Sequence, residues 1–111
     1  MHALSHTRRH EGRATVIELT GEIDVATAPQ LRSSLEPAFG APEPRLVIDL
    51  AGVTFIDSSG LRVLIETHKR AEQDGGSLAL ARPSPWVVRL LRVTGLDRRI
   101  AVHPDVAEAA E

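Results

Sequence analysis

The 111-residue chain contains no cysteine. That absence excludes disulfides, thiolate metal sites and a cysteine nucleophile, and it leaves the redox compartment open. Aromatic residues make up only 3% of the chain, so a core has to be built from Leu, Val, Ile and Ala. No apolar run approaches the ~20 residues of a membrane span. The N-terminus is rich in His and Arg and lacks an apolar stretch of signal-peptide type. These absences predict a cytoplasmic protein with no cleaved secretory signal and no membrane insertion. Neither sign of charge dominates: the formal net charge is −2 and the sequence pI is about 6.2. A general nucleic-acid binder is usually more basic, so no direct nucleic-acid partner is expected.

What is present reads as one ordinary globular domain spanning residues 1–111. Hydrophobic residues make up 42% and charged residues 25%, as in soluble proteins. A chain of this length buries roughly two-thirds of its unfolded surface and can hold a core without staples. There is no internal repeat, low-complexity tract or dividing linker.

Residues Leu4 to Arg9 alternate weakly, Glu11-Gly12 signals a turn, and Thr15-Val16-Ile17-Glu18-Leu19 reads as a strand. Together they predict a hairpin, with residues 1–12 either its first edge strand or a mobile terminus. A helix follows, with Thr27 as N-cap, Pro29 in the first turn and Gln30 placed as in a capping box. Ala28, Leu31, Leu35 and Ala38 recur at helical spacing, and Pro37 and Gly40 end the run. Leu46-Val47-Ile48-Asp49-Leu50 suits a strand buried on both faces. The apolar segment Val53-Thr54-Phe55-Ile56 then leads into Asp57-Ser58-Ser59-Gly60 and a helix through about Asp74. Its apolar positions are Leu61, Leu64, Ile65, His68 and Ala71, and Gly75-Gly76 stops it. Ser77 to Ala81 is a short strand. Ser84-Pro85 opens a third helix, which Gly95 closes with Leu96 as trailing contact. Ile100-Ala101-Val102 is extended, and Asp105 to Glu111 is a short acidic helix. Strands alternating with helices require crossovers and a partly parallel sheet, which the opening hairpin makes mixed.

The segment that carries chemistry is Asp57-Ser58-Ser59-Gly60. It stands between an apolar strand and a strong helix, where the first backbone N–H groups lack internal partners and favour an anion. Phosphorylation here adds about −2 of charge beside the carboxylate of Asp57. That suits a switch acting at the surface. Asp, Ser and Gly are also what helix capping alone selects at such a position.

The surrounding residues resemble the STAS family, and within it the bacterial anti-anti-sigma factors, the antagonists of anti-sigma factors. The resemblance lies in Gly21-Glu22-Ile23-Asp24-Val25-Ala26-Thr27-Ala28-Pro29, in Leu46 to Leu50, in Val53 through Asp57-Ser58-Ser59-Gly60-Leu61, and in Val93-Thr94-Gly95-Leu96-Asp97. It covers the chain from about Thr15 to the terminal helix near Ala107. It implies an α/β fold, a single STAS domain with a small mixed sheet and helices packed mainly on one face. It implies a partner switch without catalysis, cofactor or metal. Unphosphorylated antagonist binds an anti-sigma factor that is itself a serine kinase, and so frees a sigma factor. Phosphorylation at the second serine, here Ser59, releases it, and a serine phosphatase restores it. The resemblance assigns Asp24 and Glu22 to a loop near the acceptor that contacts the kinase. It assigns Asp57, Ser58, Gly60 and Leu61 to partner binding. The alternatives are an accessory subunit of a membrane transporter or a scaffold part of a stress-sensing assembly.

Other features lead to blander readings. A serine-dependent hydrolase needs Gly-x-Ser-x-Gly and a base. Ile56 stands where the first glycine belongs, and His68 lies roughly 13 Å along the same helix from Ser59. His68 therefore reads as a boundary residue. His2, His6 and His10 fall four apart, as zinc ligands can, but a solvated terminus accounts for them. Arg89, Arg92, Arg98 and Arg99 read as a solvated or partner-contacting face, since stacking aromatics are almost absent. Trp86, in the first turn of its helix, reads either as a partner anchor or as cover for the edge of the core.

Overall fold

In the computed structural model, which describes residues 3–111, the opening hairpin pairs β1 (Leu4–Glu11) with β2 (Ala14–Ile23). The pairing is antiparallel, from Leu4 opposite Gly21 to Glu11 opposite Ala14. β2 is followed by α1 (Ala28–Leu35), β3 (Arg45–Ile56), α2 (Ser58–Gln73), β4 (Ser77–Ala81), α3 (Pro85–Thr94), β5 (Ala101–His103) and α4 (Val106–Ala109). The five strands lie in the order β1-β2-β3-β4-β5. Every pair after the hairpin is parallel, so the carboxyl ends of β2, β3 and β4 share one edge. The α/β class and mixed sheet expected from the sequence are those observed.

The residues explain the layers. α1, α2 and α3 bury Leu31, Leu35, Leu64, Val87 and Leu91 against Ile17, Leu19, Ile48, Leu50 and Leu80 of the sheet. Among the described residues the opposite face carries only α4, whose Val106 packs on Ala14, Val16, Val47 and Ala81. Three helices therefore cover one face and a four-residue helix part of the other.

Several local expectations are corrected. Leu46–Leu50 and Val53–Ile56 are not separate pieces but one strand. β3 runs unbroken through Ala51-Gly52 with two register shifts against β2, one between Glu18 and Thr20 and one, at Thr54, between Gly21 and Glu22. Such bulges turn the strand so that Leu50, Val53 and Ile56 all reach the same core although they are three residues apart, an odd spacing that a regular strand would send to opposite faces. Thr27 makes no side-chain cap, and Gln30 forms no capping box with it; the Gln30 amide instead donates to the carbonyl of Leu4. After Leu35 the chain tightens into a 3₁₀ turn over Glu36–Phe39, which tolerates Pro37 near its start. Residues 4–11 are an edge strand, not a mobile terminus, and His6 and His10 stand exposed on it. His2 lies outside the described residues.

Candidate functional site

The site is built where the carboxyl ends of β2 and β3 meet the start of α2. In the parallel register Glu22 is opposite Phe55 and Ile23 opposite Ile56. Asp24 and Asp57 are therefore the next residues beyond two neighbouring strand ends. The N–H of Asp57 donates to the carbonyl of Ile23 at 3.1 Å, which ties the two ends together.

Asp57 is the N-cap of α2, in extended conformation at φ −112 and ψ −171. Its Oδ1 accepts from the N–H of Ser59 at 2.8 Å and of Gly60 at 3.3 Å. The helix start is thus held by Asp57, which leaves both serine hydroxyls out of the capping. Ser58 is exposed and Ser59 half-buried. Gly60 is needed for close approach: a Cβ there would stand 2.8 Å from Ile56 Cγ1 and closer still to Ile23 Cγ2. That contact lets α2 begin directly over the two strand ends. Leu61 is buried in the core cluster.

Asp24 knots the turn between β2 and α1. Its Oδ1 accepts from the N–H groups of Ala26 and Thr27 at 2.9 and 3.0 Å. Its own N–H donates to Thr27 Oγ1 at 2.9 Å, and that hydroxyl donates to the carbonyl of Glu22 at 2.8 Å. Asp24 and Thr27 are buried. Thr27 thus serves the same turn in a different way from the cap expected of it.

The expected residues are brought to one edge, but in different environments. Ser58 is exposed, Ser59, Asp57 and Glu22 are half-buried, and Asp24, Gly60 and Leu61 are buried. The last three therefore shape the edge more than they face solvent. His68 is half-buried, with Nε2 3.3 Å from Glu72 Oε1 one turn on, as a boundary residue is. Arg89, Arg92, Arg98 and Arg99 are exposed.

Two contacts escaped the sequence reading, one at the site and one further down β3. Phe55 and Trp86 stack with ring centroids 5.5 Å apart and planes at 22°. Asp49, buried within β3, takes a forked contact from Arg82, with Nε–Oδ1 at 3.1 Å and a second nitrogen on Oδ2 at 2.5 Å. Burial alone would raise the Asp49 pKa. The Arg82 hydrogen bonds, the N–H of Ala51 and the charges of Arg82 and Arg9 outweigh it and hold the carboxyl below its ordinary value. A carboxylate inside an apolar strand demands a partner, and that was the available signal.

Among the described residues no helix is long and apolar enough to cross a membrane. The model of the STAS domain family matches residues 6–109, and the chain belongs to that family. Over 80 residues it is 41% identical to an anti-sigma-B factor antagonist of Bacillus subtilis (strain 168), covering 72% of this chain and 72% of the relative. The crystal structure of an anti-sigma factor antagonist from Mycobacterium paratuberculosis superposes with a TM-score of 0.86 at 29% identity, over 96% of this chain and 91% of that one. The Bacillus cell fate determinant SpoIIAA in its phosphorylated form superposes with a TM-score of 0.70 at 25% identity, over 95% of this chain and 96% of that one.

Proposed function

We propose that this chain is an anti-sigma factor antagonist that works as a phosphorylation-controlled binding module and not as an enzyme. In this reading the unphosphorylated form binds an anti-sigma factor with serine kinase activity and frees a sigma factor. Phosphorylation in the serine pair at the head of α2 ends that binding, and a serine phosphatase resets it. The role belongs in the cytoplasm, where sigma factors act.

The observation that carries the reading is the pair Ser58-Ser59 at the exposed edge of a STAS fold, just beyond an Asp57 that already caps the helix. Because the cap is Asp57, added charge on a serine leaves the helix start intact. The first turn of α2 also favours a phosphate through its unpaired N–H groups and dipole. Phosphorylation of a relative with the same fold supports the same chemistry here.

Within the pair, the resemblance pointed to Ser59. Accessibility favours Ser58, the exposed member and the first residue of α2, and we place the acceptor there. Asp24, by its hydrogen bonds, acts mainly in holding the β2–α1 turn beside the acceptor. Incubating the purified chain with each candidate serine kinase of its own genome and ATP, then mapping the phosphopeptide, tests the reading. Phosphate on the peptide containing Ser58-Ser59, with loss of kinase binding, is the expected result. No modification by any of these kinases would remove it.

A further inference from the structure

A groove of about 450 Å³ runs beside the serine pair, between α2 and the turn that joins α3 to β5. Leu61 and Leu96, both buried, form its floor, and Ser58 stands at its head. Arg62, Lys69 and Arg99 line its walls, and all three are exposed. Among the described residues none of the three has a carboxylate partner, whereas Arg9, Arg70 and Arg82 each hold one. Glu66 also lines the groove, one turn on from Arg62, but it is taken from the other side by Arg32 of α1 at 3.1 Å. The Thr94 hydroxyl is turned back onto the carbonyl of Leu90, at 2.9 Å. Asp97 lines a different cavity, with Val88, Leu91 and Val102. The groove therefore presents three free cations and no free carboxylate among its lining residues.

Position separates the three cations. Ser58 and Arg62 are four residues apart on α2, so their Cβ atoms are neighbours at roughly 5–6 Å. An anion on the N-terminal side of a cation at this spacing is the favourable order. A guanidinium can grip a phosphate with two parallel hydrogen bonds. Arg99 comes from the opposite wall, where its N–H donates to the carbonyl of Leu96 at 2.9 Å and fixes its backbone. Lys69 is further down the α2 wall, ~16 Å along the helix from Ser58, beyond the reach of a group attached there. The Asp57 carboxylate opposes a phosphate on Ser58, since its Oδ1 already holds the N–H groups of Ser59 and Gly60 and its charge remains. A modification carrying about −2 of charge beside it calls for cations to offset it. Arg62 and Arg99 supply two.

We propose that Arg62 and Arg99 form a receiving site for the phosphate monoester on Ser58, one from each wall of the groove. The phosphate draws both guanidiniums over the head of the groove and leaves Lys69 as its free cation. A partner that met an open, cationic groove then meets a closed and nearly neutral one. The inference rests on the function proposed above and gives the phosphate a fixed place on the fold.

Replacing Ser58 by genetically encoded phosphoserine makes the test independent of any kinase. Phosphorus NMR then follows the second ionisation of the phosphate. It should fall at least about half a pH unit below its value in the Arg62→Gln, Arg99→Gln double variant. Each single change should remove part of the shift, Lys69→Gln should keep nearly all of it, and about 1 M salt should shrink it. The Nε–H resonances of Arg62 and Arg99 should move between the unmodified and phosphorylated chains, and the variants should melt nearly as the parent does. Equal titration of parent and double variant overturns the receiving site. So does a shift that Lys69→Gln removes as fully as Arg62→Gln, because the whole basic surface would then be its source. A shift that survives Arg99→Gln intact confines the contact to one helix and overturns the site that spans the groove. If a kinase modifies Ser58 and no shift is seen, the site falls and the functional reading stands. If the shift is present and no serine kinase of the genome modifies the unaltered chain, the reading falls and the site stands. Kinase-made phosphate on Ser59 alone overturns the part of the site in the switch.

Discussion

On one face of the sheet, three helices press a continuous apolar layer onto β2, β3 and β4. On the other, α4 covers a small patch of Ala and Val, and beyond it the Asp49 carboxylate lies buried under the half-exposed side chain of Arg82. The first face is held by area removed from water, which is non-directional. The second is held in part by a directional ion pair between β3 and the β4–α3 connection. The helical face therefore carries most of the stability. The ionic face fixes where α3 starts, and with it the edge that presents Trp86.

Truncation separates the faces most strongly. Leu64→Ala opens a cavity under α2 and should cost about 2–5 kcal/mol. Val106→Ala, at the small apolar patch, should cost only about 1–2 kcal/mol. Urea unfolding midpoints at equal slope measure both, and equal losses would mean that the two faces share the load.

The ion pair should differ from the apolar face in its dependence on pH. Asp49 has a folded pKa below its ordinary value, so its contribution is complete above the ordinary carboxylate range. It fades as pH falls through that range towards the folded pKa. Asp49→Asn should cost about 2 kcal/mol at pH 7 and progressively less below about pH 4. Leu64→Ala should show no such convergence with the parent. Denaturant titrations at pH 7, 5 and 3 compare them, and a gap that stays constant with pH would detach Asp49 from the mechanism.

A smaller effect belongs to the cap. Asp57→Ala leaves the N–H groups of Ser59 and Gly60 without their side-chain acceptor and should cost about 1 kcal/mol. Asp57→Asn or Asp57→Ser should recover most of it in thermal melts.

The comparison also shows why some of the molecule was legible in the sequence. The hairpin, α2 and α3 follow from local rules. Val16 to Leu19 carry a strand pattern, Ser84-Pro85 opens a helix, and Gly95, at φ +76, closes it in the left-handed conformation that favours glycine. The Asp-Ser-Ser-Gly edge was legible for the same reason. What escaped depends on residues far apart in the chain. The continuity of β3 is hidden by two bulges that break its alternation. Thr27 looks like a cap until Asp24 claims the turn. Arg82 reaches Asp49 across 33 residues, and Trp86 finds Phe55 only because the strand order brings β3 beside β4. Local propensity carries none of these pairings.

The serines should matter least to the fold and most to the partner. Ser58→Ala and Ser59→Ala remove hydroxyls that do not cap α2, so each should shift stability by no more than about 0.5 kcal/mol. Ser58→Ala should block phosphorylation and leave the anti-sigma factor bound persistently, whereas Ser59→Ala should still accept phosphate. Ser58→Asp should mimic the modified state only in part, since one carboxylate supplies about half the charge of a phosphate and fewer acceptor oxygens. The added charge acts beside the Asp57 carboxylate, at the surface, and on the partner across it. Far-UV circular dichroism of the two forms should therefore nearly coincide while affinity falls about tenfold or more. Phosphate found on Ser59 would move the acceptor by one residue and keep the switch. Melting of α2 on phosphorylation would reject the surface mechanism, because the charge would then act through the fold that Asp57 is argued to protect.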